Sequence, residues 1–129
     1  MCQYVGREML KVGKGKIINM ASQAASVAMP QHIAYTASKA AVLGVTKVLA
    51  NEWGSRGITV NSISPTIVRT PMGLKVWHGE TGEAIRSRIP VGRFAEADEI
   101  AAATIFLASD GARMINGIDL LIDGGYGCG

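Results

Sequence analysis

Residues 34–65, AYTASKAAVLGVTKVLANEWGSRGITVNSISP, change their hydrophobic period partway along. Ala41, Val42, Val45, Val48, Leu49 and Trp53 recur at helical spacing and predict one long helix with an apolar stripe. GSRG, 54–57, closes that helix, and ITVNSISP, 58–65, reads as a strand ended by Pro65. A long helix running through a tight glycine turn into a strand is half of a β-α-β unit.

The neighbouring segments extend the same pattern. Upstream, GKGKIINMAS, 13–22, is a glycine turn followed by a short apolar strand that ends near Ser22. Residues 1–11 place Val5 and Met9, with Val12 just beyond, at helical spacing, but no capping residue precedes them, so this helix reads as cut at its start. Downstream, 66–94 form a long mixed connection with one short helix expected around 81–88. AEADEIAAATIFLASDGA, 95–112, is a helix with acids in its first turn and glycine after its last, and NGIDLLIDGG, 116–125, is a final strand. Three strands alternating with helices imply right-handed crossovers and a parallel α/β sheet within one domain, 1–129. Ligands of such sheets sit outside the carboxyl ends of the strands, where Ser22 and Pro65 both stand.

Bulk properties exclude several functions. Charged residues make up 18% of the chain, and the net charge of +3 is spread along it. No Lys/Arg cluster interleaves with aromatics, so a nucleic-acid partner is not expected. No unbroken apolar run approaches the length of a membrane span, and no signal-peptide layout opens the chain. Cys2 and Cys128 lie at opposite ends without a CxxC, which argues against a disulfide framework or a metal site and for a reducing, cytoplasmic setting.

Tyr35 and Lys39 lie one helical turn apart on one face. A free phenol releases its proton only near pH ~10. A fixed ammonium beside it favours the phenolate, which would make the pair a general acid/base. The same spacing also occurs where a lysine merely lies along a solvated tyrosine, so the pair needs company before it means chemistry.

That company is present. NMAS (19–22), Tyr35 thirteen residues after Ser22, Lys39, VNSISPTIVRTPM (60–72), PVGRFAEADEIAAATIFLASD (90–110) and GIDLLIDGGY (117–126) together resemble the short-chain dehydrogenase/reductase family. The resemblance covers the whole chain and matches the C-terminal half of the family's Rossmann-like, doubly wound domain. It implies NAD- or NADP-dependent hydride transfer between a nicotinamide and a small alcohol or ketone. Tyr35 would carry the proton and also contact the cofactor, and Lys39 would assist it and bind the nicotinamide ribose. Ser22 would hydrogen-bond the substrate oxygen. Pro65, Val68 and Thr70 would meet the carboxamide end of the cofactor, although Thr66 stands where the family has glycine. Asn61 is expected to tie strands or loops together.

Among family members, the Ser22–Trp77 region is closest in look to polyol dehydrogenases and L-xylulose (dicarbonyl) reductases. That likeness implies substrate contacts from Ser22, Gln23, His32 and Trp77, with His32 as a satisfied loop residue and Trp77 as a packing residue being the plainer alternatives. A ketoacyl-carrier-protein reductase is the other enzymatic reading, and a non-catalytic fragment or assembly partner the third. The family's glycine-rich pyrophosphate turn has no counterpart here. The 129 residues therefore read as a C-terminal half, expected to be inactive alone, from a protein expected to form a tetramer through residues 1–11, 34–53 and the C-terminal strand.

Overall fold

The computed structural model describes residues 1–128. Helix α1 is Cys2–Val12, strand β1 Gly15–Met20, helix α2 Ile33–Trp53 and strand β2 Ile58–Pro65. Helices α3, Pro71–Val76, α4, Gly79–Arg86, and α5, Ala97–Ala108, precede strand β3, Asp119–Ile122. The three strands form one parallel sheet in the order β1-β2-β3, with Gly15 opposite Ile58 and Ser62 opposite Asp119. This is the sheet of a Rossmann-like α/β fold.

β2 is the central strand and is buried along almost its whole length, as expected of a parallel strand covered on both faces. Ile58 and Val60 join Ala50 of α2 on one face, with Leu10, Leu49 and Trp53 around them. On the other, Ile63 packs with Ala95, Ile100, Leu107 and Ala112. α1 closes against Trp53 at Gly6, where any Cβ would fall on the indole ring. At the foot of the sheet Gly57 adopts a positive φ of 78°, and a Cβ there would collide with the Gly13 carbonyl. That contact lets Gly15 N–H donate to Gly57 O at 3.2 Å and sets the β1–β2 register.

The α2 stripe differs from its sequence expectation. Val45 and Val48 are 47% and 54% exposed, whereas Thr46 and Ala50 are the buried residues. α2 is apolar nearly all round, so period alone does not select the packed face, and small side chains allow its close approach to the strands. Thr46 Oγ1 is satisfied within that contact, accepting from Asn19 Nδ2 at 2.9 Å and donating to Val42 O at 2.8 Å. The same composition makes Ile33–Arg56 long and apolar enough to cross a membrane, which counting unbroken apolar runs overlooked. Here, however, one side of that segment packs on β2.

The other boundaries shift for local reasons. The 66–94 connection holds two helices rather than one. Thr70 caps α3 by accepting Gly73 N–H at 3.0 Å, and Pro71 occupies its first turn, where a missing N–H costs nothing. The last strand is shorter than 116–125 because Asn116 leaves the ladder to act as a clip. Its Oδ1 accepts Val60 N–H at 2.8 Å, and its Nδ2 donates to Ala50 O at 3.0 Å. Asn61 is 1% exposed, donating to Ile115 O and accepting from Ile118 N–H, the tying role expected of it. α5 opens on a reciprocal Glu96–Glu99 capping box. The hydrogen bond from Arg93, then that from the Glu96 amide, holds the Glu99 carboxyl at about 2, below its ordinary 4.5. That contribution is complete above the ordinary value and fades as pH falls toward 2.

Candidate active site

The carboxyl ends of β1 and β2 and the first turns of α2 meet at one rim. β1 ends at Met20, and the chain turns into a short 3-10 segment, Gln23–Ala25, capped by Ser22. Ser22 Oγ accepts Ala24 N–H at 3.2 Å, which fixes the side chain and leaves its own hydroxyl hydrogen to donate elsewhere. Gln23 is 6% exposed, and its Oε1 has no hydrogen-bond partner among the described residues. A buried amide oxygen without a partner is costly, so this one points to a ligand or water.

Tyr35 lies in the first turn of α2 and is 45% exposed. Lys39 follows one turn later, its Nζ 5.8 Å from the Tyr35 ring centroid. The same Nζ donates to Met20 O at 3.1 Å, anchoring the ammonium to the end of β1 beside the phenol. Two of its three N–H groups remain for other partners.

Beyond Pro65 the main chain is held from both sides. Thr66 N–H donates to Ile122 O, Ala95 N–H to Ile67 O, and Arg69 N–H to Ala95 O. Thr66, which replaces the family glycine, fits without a positive φ, because Gln31 is the one non-glycine residue with φ above zero among those described. Val68 pairs with Ala95 in an isolated bridge, yet its own N–H has no partner among the described residues. The Thr70 hydroxyl is engaged in capping α3.

A cleft of about 500 Å³ collects these groups. Ser22, Gln23, His32, Tyr35, Lys39, Pro65, Val68, Thr70 and Trp77 all line it, so every site residue expected from the sequence borders the same space. The His32 and Trp77 rings stack, with centroids 6.4 Å apart and planes 23° from parallel. His32 Nδ1 lies 2.7 Å from Pro30 O, an atom that only accepts, so Nδ1 carries the hydrogen and Nε2 of the neutral ring is the acceptor. Gln31, just before His32, takes a positive φ of 65°, a conformation that costs a non-glycine residue.

The cleft has walls the sequence did not announce. Met29, Met72, Val76 and Ile85 supply apolar surface, and Tyr126 enters from the C-terminal turn. Met72 and Val76 share a face of α3 at i, i+4, a signal open to reading only once that helix is recognised. Tyr126 carried no such signal. Taken together, the arrangement offers a phenol, an ammonium and a hydroxyl, unpaired amide groups and apolar surface within one cleft. Such a set can exchange a proton with an alcohol or carbonyl oxygen and grip a planar amide.

Comparisons with known proteins agree along the whole length. The family described as enoyl-(acyl carrier protein) reductase matches residues 1–127. The D-threitol dehydrogenase of Mycolicibacterium smegmatis is 64% identical over 126 residues, covering 98% of this chain and 48% of that protein. The NAD-dependent glycerol dehydrogenase of Listeria innocua is 52% identical, covering 98% and 50%. A gluconate 5-dehydrogenase from Burkholderia cenocepacia, solved with NADP and tartrate, superposes with a TM-score of 0.95 at 34% identity, covering 99% and 51%. The chain thus spans about half the length of the curated relatives it matches.

Proposed function

Since the chain belongs to the short-chain dehydrogenase/reductase family, we propose that it is the catalytic, C-terminal half of an NAD(P)-dependent oxidoreductase acting on small polyols and the matching ketoses. The observation that carries this reading is the convergence of Ser22, Tyr35 and Lys39 on one cleft at the carboxyl rim of the sheet.

Residue by residue, the roles are as follows. Tyr35 hands its phenolic proton to the substrate oxygen in reduction and receives it in oxidation. Ser22 donates its free hydroxyl hydrogen to that oxygen and steadies the charge that builds there. Lys39, anchored on Met20 O, keeps positive charge beside the phenol, and its two remaining N–H groups would serve the ribose hydroxyls of a bound cofactor. The cleft fits a nicotinamide. The unpartnered Val68 N–H suits its carboxamide, and Pro65 with the Thr70 turn would bound that end. A nicotinamide bound there supplies or takes the hydride. Gln23, with its unsatisfied amide oxygen, and the Nε2 acceptor of His32 suit substrate hydroxyls, while the Trp77 face suits substrate C–H groups.

The test is an absorbance assay of the intact enzyme with polyols, ketoses and acetoacetyl thioesters. The expected result is preference for a polyol–ketose pair. Preference for the thioester would instead favour an acyl-carrier-protein reductase, a reading supported by the matched family's description and the apolar Met72–Val76 wall. The 129 residues assayed alone are expected to show no turnover, since little besides the nicotinamide end of the cofactor would be held. Micromolar cofactor binding with turnover would refute the half-site reading.

We also propose a tetramer with two kinds of isologous interface, one through α1 and α2 and one through the C-terminal strand. Exposed Tyr4, Val5, Val45 and Val48 support the first, and Leu121 the second. Light scattering that finds a monomer at micromolar concentration would end this idea. The free thiols of Cys2 and Cys128 support a reducing compartment such as the cytoplasm.

A further inference from the structure

We propose that Tyr126 is a specificity-determining residue that hydrogen-bonds the distal hydroxyls of a longer polyol, and so sets the chain length the cleft prefers; this rests on the polyol reading above. The C-terminal turn that carries Tyr126 is built around one buried carboxylate. Asp123 accepts Gly125 N–H at 3.0 Å through Oδ1 and Gly127 N–H at 2.9 Å through Oδ2. Gly124 and Gly125 take positive φ values of 60° and 88°, which fold the chain back after β3. The turn docks on the segment after α4, where Val91 N–H donates to Gly124 O at 3.1 Å.

Docking brings Arg88 over the Tyr126 ring, with the guanidinium carbon 4.7 Å from the ring centroid. A cation at that distance attracts the ring face and limits its motion. Arg88 forms no ion pair among the described residues, so no carboxylate competes for it. Tyr126 lines the same cleft as Ser22 and Tyr35, whose lining also includes the apolar Met72, Val76 and Ile85. Its phenol oxygen has no hydrogen-bond partner among the described residues. It is thus a polar group, positioned by Arg88, in a lining that is largely apolar. A three-carbon substrate held at Ser22 and Tyr35 has few hydroxyls left over. Each further carbon adds a hydroxyl whose desolvation needs a partner, and Tyr126 can both donate and accept.

Tyr126→Phe keeps the ring and the Arg88 contact and removes only the hydroxyl. In the intact enzyme, KM for four- and five-carbon polyols is expected to rise about 3–10-fold, the usual worth of one hydrogen bond. KM for glycerol and the cofactor dissociation constant are expected to stay unchanged. Arg88→Met, acting only through the ring, should reproduce the length-dependent pattern more weakly. A flat profile across the polyol series, or an equal rise for glycerol, overturns the inference while leaving the polyol reading intact. Wild-type enzyme that turns over no polyol of any length overturns both.

Discussion

Tyr35→Phe in the intact enzyme is expected to lower kcat by about 10²–10⁴-fold, the range that a positioned proton donor contributes. Cofactor affinity should hardly change. The substitution deletes one oxygen from a ring in the first turn of α2 and leaves the Lys39 anchor on Met20 O in place. Ser22 is still fixed by the Ala24 amide, so the substrate oxygen keeps one hydrogen-bond donor and loses only its proton source. Steady-state turnover at saturating substrate, with cofactor titrated by fluorescence, separates the two effects. Wild-type kcat would remove Tyr35 from the proton-transfer role. Loss of cofactor binding in step with turnover would make its role a shaping of the cleft.

Leu107→Ala is expected to destabilise the protein by about 2–5 kcal/mol, enough to threaten a domain of ordinary stability. Leu107 is 1% exposed and lies where α5 crosses the sheet, packed with Ile63, Ile100 and Ala112. Val68 rests against the same cluster, so this core also backs the cleft wall. Truncation would leave a cavity that the strand and helix backbones cannot readily collapse. Met114→Ala, at a residue 91% exposed, should change stability by less than about 0.5 kcal/mol and serves as the reference. Urea denaturation of both variants gives the comparison. A Leu107→Ala effect as small as that of Met114→Ala would mean that α5 is not packed as described.

The difference between those two residues reflects what the sequence could and could not reveal. ITVNSISP is a strand at the expected residues because an apolar run between a glycine turn and a proline has few other solutions. The rim followed from it, since a parallel sheet brings Ser22, Tyr35 and Pro65 together wherever the exact boundaries fall. The packed face of α2 was not legible, because a helix apolar nearly all round offers little period to read, and its close contacts are made by Thr46 and Ala50. α3 hides within a mixed connection. Its signature is a capping threonine followed by proline, and six residues are too few for a stripe. Tyr126 was beyond reach for another reason. Its place depends on Asp123 gathering two amides of the following turn and on Arg88 arriving from far along the chain. Those are consequences of tertiary packing, and no local spacing encodes them.

The order of the strands also governs which part of the molecule opens last. β2 is hydrogen-bonded on both sides, to β1 and to β3, and nearly all of it is buried. β1 and β3 are each paired on one side within the described sheet. Amide protons of Val60 and Ile63 therefore have no shallow route to solvent and should exchange with deuterium only through global unfolding. Those of the first turn of α1, which has no side-chain cap, can exchange through local openings. The cleft opens off the carboxyl end of β2, at Pro65, so the deuterium clock would run slowest directly beneath the binding site.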